Sequence, residues 1–123
     1  MNTTRPIKFR QPTLWKANKF HSWHYWGFYE RGYTGPLCID LPSFQYTGNQ
    51  DSKGREIYEG DVIEIDPHDL DCSDKGLVYH DERASAFRVS FADGNIWWLY
   101  EIDFAIAEVI GNIYEHPELL ESK

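Results

Sequence analysis

The stretch QYTGNQDSKGREIYEGDVIEID, residues 45–66, carries the clearest secondary-structure signal in this chain of 123 residues. Its centre, residues 49–54, is rich in turn-forming side chains and predicts the connection of a β-hairpin. In the following segment VIEID, residues 62–66, apolar and acidic side chains alternate, as in an antiparallel strand with one solvent-exposed face. Gly60 suits a positive φ or a bulge before this strand, and Asp61 can accept hydrogen bonds from nearby backbone N–H groups. The stretch therefore predicts the turn chemistry of a small β-fold.

A catalytic role for this stretch would require a second reactive group beside Glu59 or Asp61. Acid–base or metal-assisted chemistry needs a paired carboxylate, a histidine or a set of metal ligands, and the local spacing supplies none. The sequence also contains no glycine-rich phosphate loop, HExxH, GxSxG or paired CxxC motif. We therefore predict that the protein is not an enzyme and that it uses no cofactor.

Strand-like segments recur along the rest of the chain at spacings of about ten residues. They are HSWHYWGFYE at 21–30, LVYH at 77–80, AFRVSF at 86–91 and NIWWLYEI at 95–102. Residues 104–110 fit either one short helical turn or a closing strand. This pattern predicts an all-β protein, a small barrel or sandwich of short antiparallel strands with at most short helical turns.

The two ends of the chain differ in character from the middle. Pro6 and Pro12 stand among basic residues in the first twenty positions, which predicts an extended N-terminal arm or an edge strand. Near the other end, Pro117 suits the first position of a final helical turn.

Composition predicts a single globular domain over residues 1–123. Apolar residues make up 41% and aromatic residues 16% of a chain long enough to fold without a metal or a disulfide. Charge divides the chain, because residues 1–55 hold eight Lys or Arg and three Asp or Glu, whereas residues 56–123 hold four and seventeen. We therefore distinguish a basic, aromatic N-terminal part, residues 1–43, from an acidic, β-rich part, residues 44–123.

The sequence also bears on location and redox state. No run of apolar residues is long enough to span a membrane, and the start lacks the apolar core of a signal peptide. These features predict a cytoplasmic protein that does not enter membranes. Cys38 and Cys72 are then expected to be reduced and independent of each other.

Three blocks of sequence carry a resemblance to a known family. They are IKFR at 7–10, FQYTG with GREIYEGDVI at 44–63, and EVIGNIYEHPELL at 108–120. In order and spacing these blocks resemble the YopX-like family of small bacteriophage and prophage proteins. The resemblance implies a phage or prophage origin and a mainly β fold, and it implies no catalytic residues.

Two groups of side chains could be considered as metal ligands. His21 and His24 stand three positions apart, which puts them on opposite faces of a strand. The loop DPHDLDCSD, residues 66–74, collects carboxylates but lacks the glycine and the terminal glutamate of a calcium-binding hand. We predict no metal site, and a metal-dependent hydrolase built on this loop remains an alternative function.

The basic, aromatic N-terminal part suggests another alternative. Trp15, Trp23, Tyr25, Trp26 and Phe28, interleaved with Lys16 and Lys19, are typical of a stacking platform for single-stranded nucleic acid. The same rings would equally suit a core, and the net charge of −8 argues against direct nucleic-acid binding. A nucleic-acid-binding accessory protein and a structural component of a phage particle stay as alternatives.

Our main functional prediction is a phage-encoded protein that acts by binding. A surface of carboxylates, with Asp69, Asp71 and Asp74 at its centre, can occupy a basic groove of a host protein, for instance one that handles nucleic acid. Trp97 and Trp98 point to opposite faces of a strand, so one is expected in the core and the other at an interface as a binding anchor. The predicted role is to modulate or inhibit that host protein, and the sequence leaves self-association into a homo-oligomer open.

Overall fold

The computed structural model of the protein describes residues 7–14, 20–29, 32–37, 41–65, 75–92 and 94–116. Within these ranges the chain forms ten β-strands, arranged as two antiparallel sheets of five strands each. The same ranges contain no helix long and apolar enough to cross a membrane.

Sheet 1 is built from the first five strands, in the order β3-β2-β1-β4-β5. Its strands are β1 Lys8–Leu14, β2 Phe20–Tyr29, β3 Gly32–Thr34, β4 Phe44–Gln50 and β5 Glu56–Tyr58.

Sheet 2 contains the remaining five strands, in the order β10-β6-β7-β8-β9. Its strands are β6 Asp61–Ile65, β7 Lys75–Asp81, β8 Ala86–Phe91, β9 Ile96–Trp98 and β10 Ala107–Asn112. Two short 3₁₀ turns, Leu99–Glu101 and Phe104–Ile106, lead from β9 to β10. Residues 104–110 therefore form a helical turn and then a strand.

The predicted all-β fold is confirmed, as are the hairpins β4–β5 and β7–β8. Within the described ranges neither sheet closes on itself, which agrees with the sandwich and not with the barrel. The boundary between the sheets falls between Tyr58 and Asp61. Two strands of the acidic part thus complete the sheet that the basic part begins.

The expected N-terminal arm differs from what is observed. Residues 8–14 form β1, which lies in the interior of sheet 1 with β2 on one side and β4 on the other. Pro12 is compatible with this place because β1 pairs with β4 only at Phe9 and Arg10. The missing N–H of proline therefore falls where, among the described strands, β1 is paired with β2 alone.

The strand predicted at 95–102 is shorter than expected. β9 ends at Trp98, and the chain then enters the first 3₁₀ turn. The reason is local: the side chain of Glu101 accepts a hydrogen bond from the backbone N–H of Trp98 at 2.9 Å and caps that turn.

The hydrophobic core lies mainly on one face of sheet 2. Its buried members are Ile57, Ile63, Ile65, Val78, Val89, Phe91, Leu99, Ile102, Ala107 and Val109. Ile57 is the only one of these that comes from sheet 1, and it is fully buried. The last strand of sheet 1 therefore shares the core of sheet 2.

The carboxylate of Asp51 fixes the turn between β4 and β5 and attaches it to β10. Its Oδ1 accepts the N–H groups of Lys53 at 2.9 Å and Arg55 at 2.8 Å, and its Oδ2 accepts that of Val109 at 2.8 Å. Burial by itself raises the pKa of Asp51, but these donors together hold the pKa below its ordinary value of 3.8. The polar turn predicted from the sequence is thus also a joint between the two sheets.

Gly60 lies at the step from β5 to β6. Its φ of 90° confirms the predicted positive value. Its N–H donates to the carbonyl of Val78 at 2.8 Å, and its carbonyl accepts from the N–H of Ile113 at 3.0 Å. Both backbone groups are therefore used to place the start of sheet 2.

Candidate binding surfaces

Trp97 and Trp98 lie on opposite faces of β9, as their adjacency in a strand requires. Trp97 is opposite Val89 and packs against the hydrophobic core. Trp98 is opposite Arg88 on the other face of sheet 2 and is half-buried. Of the two tryptophans, Trp98 is therefore the one placed on the outer face.

Trp98 is held in a stack with two other side chains. The Tyr100 ring lies nearly parallel to the Trp98 ring, with 6.2 Å between centroids and 13° between planes. The guanidinium of Arg88 also packs on the Trp98 ring, with its Cζ 4.1 Å from the ring centroid. Tyr100 is 78% exposed, so the stack, which we call the Trp98 stack, ends in solvent.

Asp81, at the end of β7, holds the guanidinium of Arg88 in the Trp98 stack. Arg88 Nη1 donates to Asp81 Oδ2 at 3.1 Å, while Asp81 Oδ1 accepts the N–H groups of Arg83 and Ala84 at 3.0 and 3.3 Å. The hydrogen bond from Arg88 is the main cause that holds the pKa of Asp81 below its ordinary value. The β7–β8 turn thus holds the carboxylate of Asp81, Asp81 holds the guanidinium of Arg88, and Arg88 packs on Trp98.

The predicted acidic site residues Asp69, Asp71 and Asp74 lie outside the described residues. Other carboxylates do flank the Trp98 stack. Exposed positions in the adjoining turns hold Glu82, Glu101 and Asp103 on the acidic side and Arg83 on the basic side. In the described part of the chain, the surroundings of the stack are thus mixed in charge with an acidic excess.

A second surface feature is a cleft of about 450 Å³ where the two sheets meet. Its walls come from β1, β2 and β5 on one side and from β6, β10 and the turn after β10 on the other. The lining residues that matter chemically are Arg10, Trp23, Tyr25, Arg55, Glu56, Tyr58, Asp61, Asn112, Glu115 and His116. We call this feature the inter-sheet cleft.

Arg10 is the central side chain of the inter-sheet cleft. It is 7% exposed, and its Nη2 donates to Asp61 Oδ1 in a buried ion pair. The Cζ of its guanidinium lies 4.0 Å from the ring centroid of Trp23 and 4.5 Å from that of Tyr58. Its Nε is buried without a hydrogen-bond partner.

Asp61 is the anion of this pair and is 1% exposed. Its other oxygen, Oδ2, accepts the backbone N–H of Tyr58 at 2.8 Å. Burial raises the pKa of Asp61 and outweighs the opposing effect of Arg10. The predicted contact of Asp61 with backbone N–H is therefore present, and its charge partner comes from a distant strand.

The turn after β10 forms the far wall of the cleft. Asn112 Oδ1 accepts the N–H groups of Tyr114 and Glu115 at 3.0 and 2.9 Å, and its Nδ2 donates to Glu115 Oε1 at 2.7 Å. The same Glu115 oxygen accepts from the indole N–H of Trp23 at 3.3 Å and so reaches across to sheet 1. His116 follows, with a buried Nδ1 that has no hydrogen-bond partner.

The rings proposed for a nucleic-acid platform divide between the two faces of β2. Trp23 and Tyr25 face the inter-sheet cleft, whereas Trp26 stacks on Phe9 on the opposite face, with centroids 4.4 Å apart. The described cations of β1 are already paired, Lys8 with Glu56 and Arg10 with Asp61. Trp15, Lys16 and Lys19 lie outside the described residues. The two described cations of β1 are thus engaged in ion pairs.

Side chains that could bind a metal do not form a cluster within the described ranges. No three His, Cys, Asp or Glu side chains there lie close enough together to share an ion. His24 contacts the carbonyl of Gly35 through Nε2 at 3.0 Å. The 66–74 loop and both cysteines, Cys38 and Cys72, are outside the described residues.

A model of the YopX protein family matches residues 13–121, nearly the whole chain. The chain belongs to the YopX family. The resemblance seen in the sequence is thereby confirmed. This YopX-family chain is also similar to a solved structure, the crystal structure of protein EF1440 from Enterococcus faecalis. The two are 20% identical in sequence, the match covers 96% of this chain and 100% of that chain, and the TM-score is 0.46. No curated protein matches this chain.

The inter-sheet cleft of this YopX-family chain was not predicted from the sequence. Asp61 stood out as a turn residue, but its partner Arg10 lies 51 positions earlier. A signal was nevertheless present, because all three blocks quoted for the family resemblance contribute to the cleft. Apart from Trp23 and Tyr25, every lining residue belongs to one of these blocks.

Proposed function

We propose that this YopX-family chain is a phage-encoded protein that acts by binding a host protein in the bacterial cytoplasm, without catalysing a reaction. The observation that carries the proposal is the Trp98 stack. It presents a 78% exposed tyrosine on a half-buried tryptophan, and an arginine supports that tryptophan from the sheet.

The residue types of the Trp98 stack are those that dominate binding energy at protein interfaces. Trp, Tyr and Arg are enriched at positions where truncation to alanine costs the most affinity. Large planar rings also bury much area for few rotatable bonds. Because Arg88 and Tyr100 contact Trp98 from the start, little side-chain freedom remains to be lost on binding.

The chemistry of the partner follows from charge. Residues 56–123 carry four Lys or Arg against seventeen Asp or Glu, and this part contains the stack and its flanking carboxylates. A host protein with a basic surface complements that charge and would be steered to it by long-range attraction. The proposed effect is inhibition or modulation of the partner, whose basic groove the acidic surface would occupy.

The test compares two exposed tyrosines on different sheets. Tyr100→Ala removes the tip of the Trp98 stack, and Tyr33→Ala is the matched control, since Tyr33 is 58% exposed on sheet 1. Each variant and the parent are immobilised, and proteins captured from host lysate are quantified by mass spectrometry. We expect a partner with a basic surface that the parent and Tyr33→Ala retain and that Tyr100→Ala loses.

The captured partner is then purified and its binding measured directly. Equal retention by Tyr100→Ala and by the parent would overturn the proposed surface. Capture of nucleic acid in place of a protein would favour the accessory-protein alternative. Turnover of a substrate by the purified chain, abolished by His68→Ala, would favour the hydrolase.

A further inference from the structure

The inter-sheet cleft has features that its structural role does not use. The buried ion pair of Arg10 and Asp61 accounts for the joining of the two sheets. It leaves the Nε of Arg10 and the Nδ1 of His116 buried and without hydrogen-bond partners. Buried polar groups in folded proteins are nearly always paired, with protein, water or a ligand. Two of the three unpaired buried side-chain atoms among the described residues belong to residues that line this cleft, and the third is the Nε of Arg88 in the Trp98 stack.

The chemistry of the arginine Nε favours a ligand that accepts hydrogen bonds. The Nε–H of an arginine is a donor and never an acceptor. Arg55 lines the same cleft and is exposed, and its Nη1 donates to the carbonyl of Val109 at 3.0 Å rather than to a carboxylate. Two guanidinium groups thus line one space, and each has N–H groups beyond those that contact Asp61 and Val109.

The carboxylates of the cleft already have donors of their own. Glu56 accepts from Lys8 and from the hydroxyl of Tyr58. Glu115 accepts from the Asn112 amide and the Trp23 indole, and Asp61 from Arg10. Each of these carboxylates therefore has at least one donor of its own, which reduces its competition for the remaining N–H groups of the arginines.

The outer part of the cleft is aromatic. Tyr25 is 47% exposed and meets Tyr58 edge to face, with centroids 5.8 Å apart, and Trp23 lies beside Arg10. A volume of about 450 Å³ is within the range of small-molecule sites. A ring or other apolar group would find a contact surface there, next to the guanidinium groups of Arg10 and Arg55.

We propose that the inter-sheet cleft binds a small ligand that carries one oxyanion, a carboxylate or a phosphate, on an aromatic body. The oxyanion accepts from Arg10, from Arg55 and from the Nδ1–H form of His116, and the body packs on Tyr25 and Trp23. This site is separate from the Trp98 stack and does not depend on the protein partner proposed above.

The test uses nuclear magnetic resonance of the full chain with four defined probes. Phenyl phosphate and phenylacetate carry the two oxyanions on a ring, phenylacetamide is the neutral isostere, and inorganic phosphate lacks the ring. The side-chain Nε–H signal of Arg10 and the indole N–H signal of Trp23 report on the floor and on the wall. We expect at least one aromatic anion to shift both signals in a saturable way, and phenylacetamide to shift neither.

Two arginine variants separate the site from general attraction to anions. Arg55→Gln should weaken binding of the aromatic anion about tenfold, the loss expected for one charge-assisted hydrogen bond. Arg83→Gln, at an exposed position of the β7–β8 turn that does not line the cleft, is the matched control and should leave the affinity unchanged. Amide spectra of each variant establish that the fold is retained.

Several results would overturn the proposal. One is the absence of any shift at Arg10 and Trp23 with all four probes at millimolar concentration. A second is equal binding of phenylacetamide and phenylacetate, which would remove the role of charge. A third is equal loss of affinity in Arg55→Gln and Arg83→Gln. Inorganic phosphate binding as tightly as phenyl phosphate would remove the aromatic half of the proposed ligand.

Discussion

The guanidinium of Arg10 in β1 and the carboxylate of Asp61 in β6 form a buried ion pair that joins the two sheets. Each partner is less than one tenth exposed. Two rings from sheet 1, Trp23 and Tyr58, contact the guanidinium, and the N–H of Tyr58 binds the second carboxylate oxygen. The contact is therefore both a joint of the fold and the floor of the inter-sheet cleft.

Breaking this pair from one side should be far more costly than removing it altogether. Arg10→Met leaves a buried carboxylate without its cation, so we expect the free energy of unfolding to fall by about 3–5 kcal/mol. In the double variant Arg10→Met/Asp61→Asn no buried charge is left unpaired, and the loss should be much less than the sum of the two single losses. Urea denaturation of the four proteins measures this cycle.

The exposed pair of Lys53 and Glu108, at 3.5 Å, is the control for that cycle. Its cation is 68% exposed, so Lys53→Met should cost less than about 1 kcal/mol. Additive losses at Arg10 and Asp61 would show that the two groups do not stabilise each other.

Asp51 should make stability depend on acid pH. Its folded-state pKa is below the ordinary value of 3.8, so its stabilisation is fully present above 3.8 and is lost as pH falls through the folded-state pKa. We expect Asp51→Asn to cost about 1–3 kcal/mol at neutral pH, because an amide cannot accept all three N–H groups. The difference from the parent should shrink at a pH well below 3.8, as measured by denaturation at both pH values.

An exposed aspartate is the control for the acid dependence. Among the described contacts the side chain of Asp103 accepts only the N–H of Ala105, at 3.0 Å, and the residue is exposed. Asp103→Asn should cost no more than about 1 kcal/mol. A cost of Asp51→Asn that stays constant from neutral to acid pH would contradict the prediction.

Gly60 should not tolerate a side chain, for a reason of backbone conformation alone. Its φ is 90°, while a Cβ atom there would meet Phe44 at 3.5 Å, an ordinary contact distance. Gly60→Ala is therefore expected to destabilise by about 1–3 kcal/mol through strain. Gly35→Ala is the control, since that Cβ would meet Tyr33 at 3.6 Å and Gly35 is not among the positive-φ glycines. Similar melting temperatures for both variants would be inconsistent with this explanation.

The two adjacent tryptophans should affect different properties. Trp97 packs against the core, so Trp97→Ala should lower the free energy of unfolding by about 2–4 kcal/mol. Trp98 lies on the outer face, so Trp98→Ala should mainly raise the dissociation rate of the protein partner, by tenfold or more on the order of hot-spot effects. Surface kinetics and urea denaturation of both variants distinguish these outcomes. An unchanged dissociation rate in Trp98→Ala would exclude that ring as an anchor.

The acidic loop should act on association rather than on dissociation. Replacing Asp69, Asp71 and Asp74 together by Asn removes three charges, which should slow association with the partner and flatten its salt dependence. The measurement is the association rate at two ionic strengths. If the triple variant binds as fast as the parent at both, the carboxylates do not imitate an acidic ligand of the partner.

The strands and turns of this protein could be read from the sequence because they depend on neighbours along the chain. Alternation of apolar and acidic residues in VIEID marks β6, and the polar residues before it mark the β4–β5 turn. The positive φ of Gly60 also follows from its place at the mouth of a strand. All of these are properties of a few consecutive residues.

Strand order was not available in the same way. The basic segment 8–14 has the composition of an arm, yet it lies between β2 and β4. Its place depends on pairing with Phe44 and Gln45, more than thirty positions away, and periodicity within a segment says nothing about such partners.

The sites show the same division between local and distant information. Adjacency alone established that Trp97 and Trp98 face opposite ways, but only the packing of sheet 2 decided that Trp98 is the outer one. Arg10 and Asp61 stand 51 positions apart, and the sequence presents one as a basic residue of an arm and the other as a turn aspartate. They pair only because the two sheets pack against each other. This packing buries both charges, and a buried charge without a partner is destabilising.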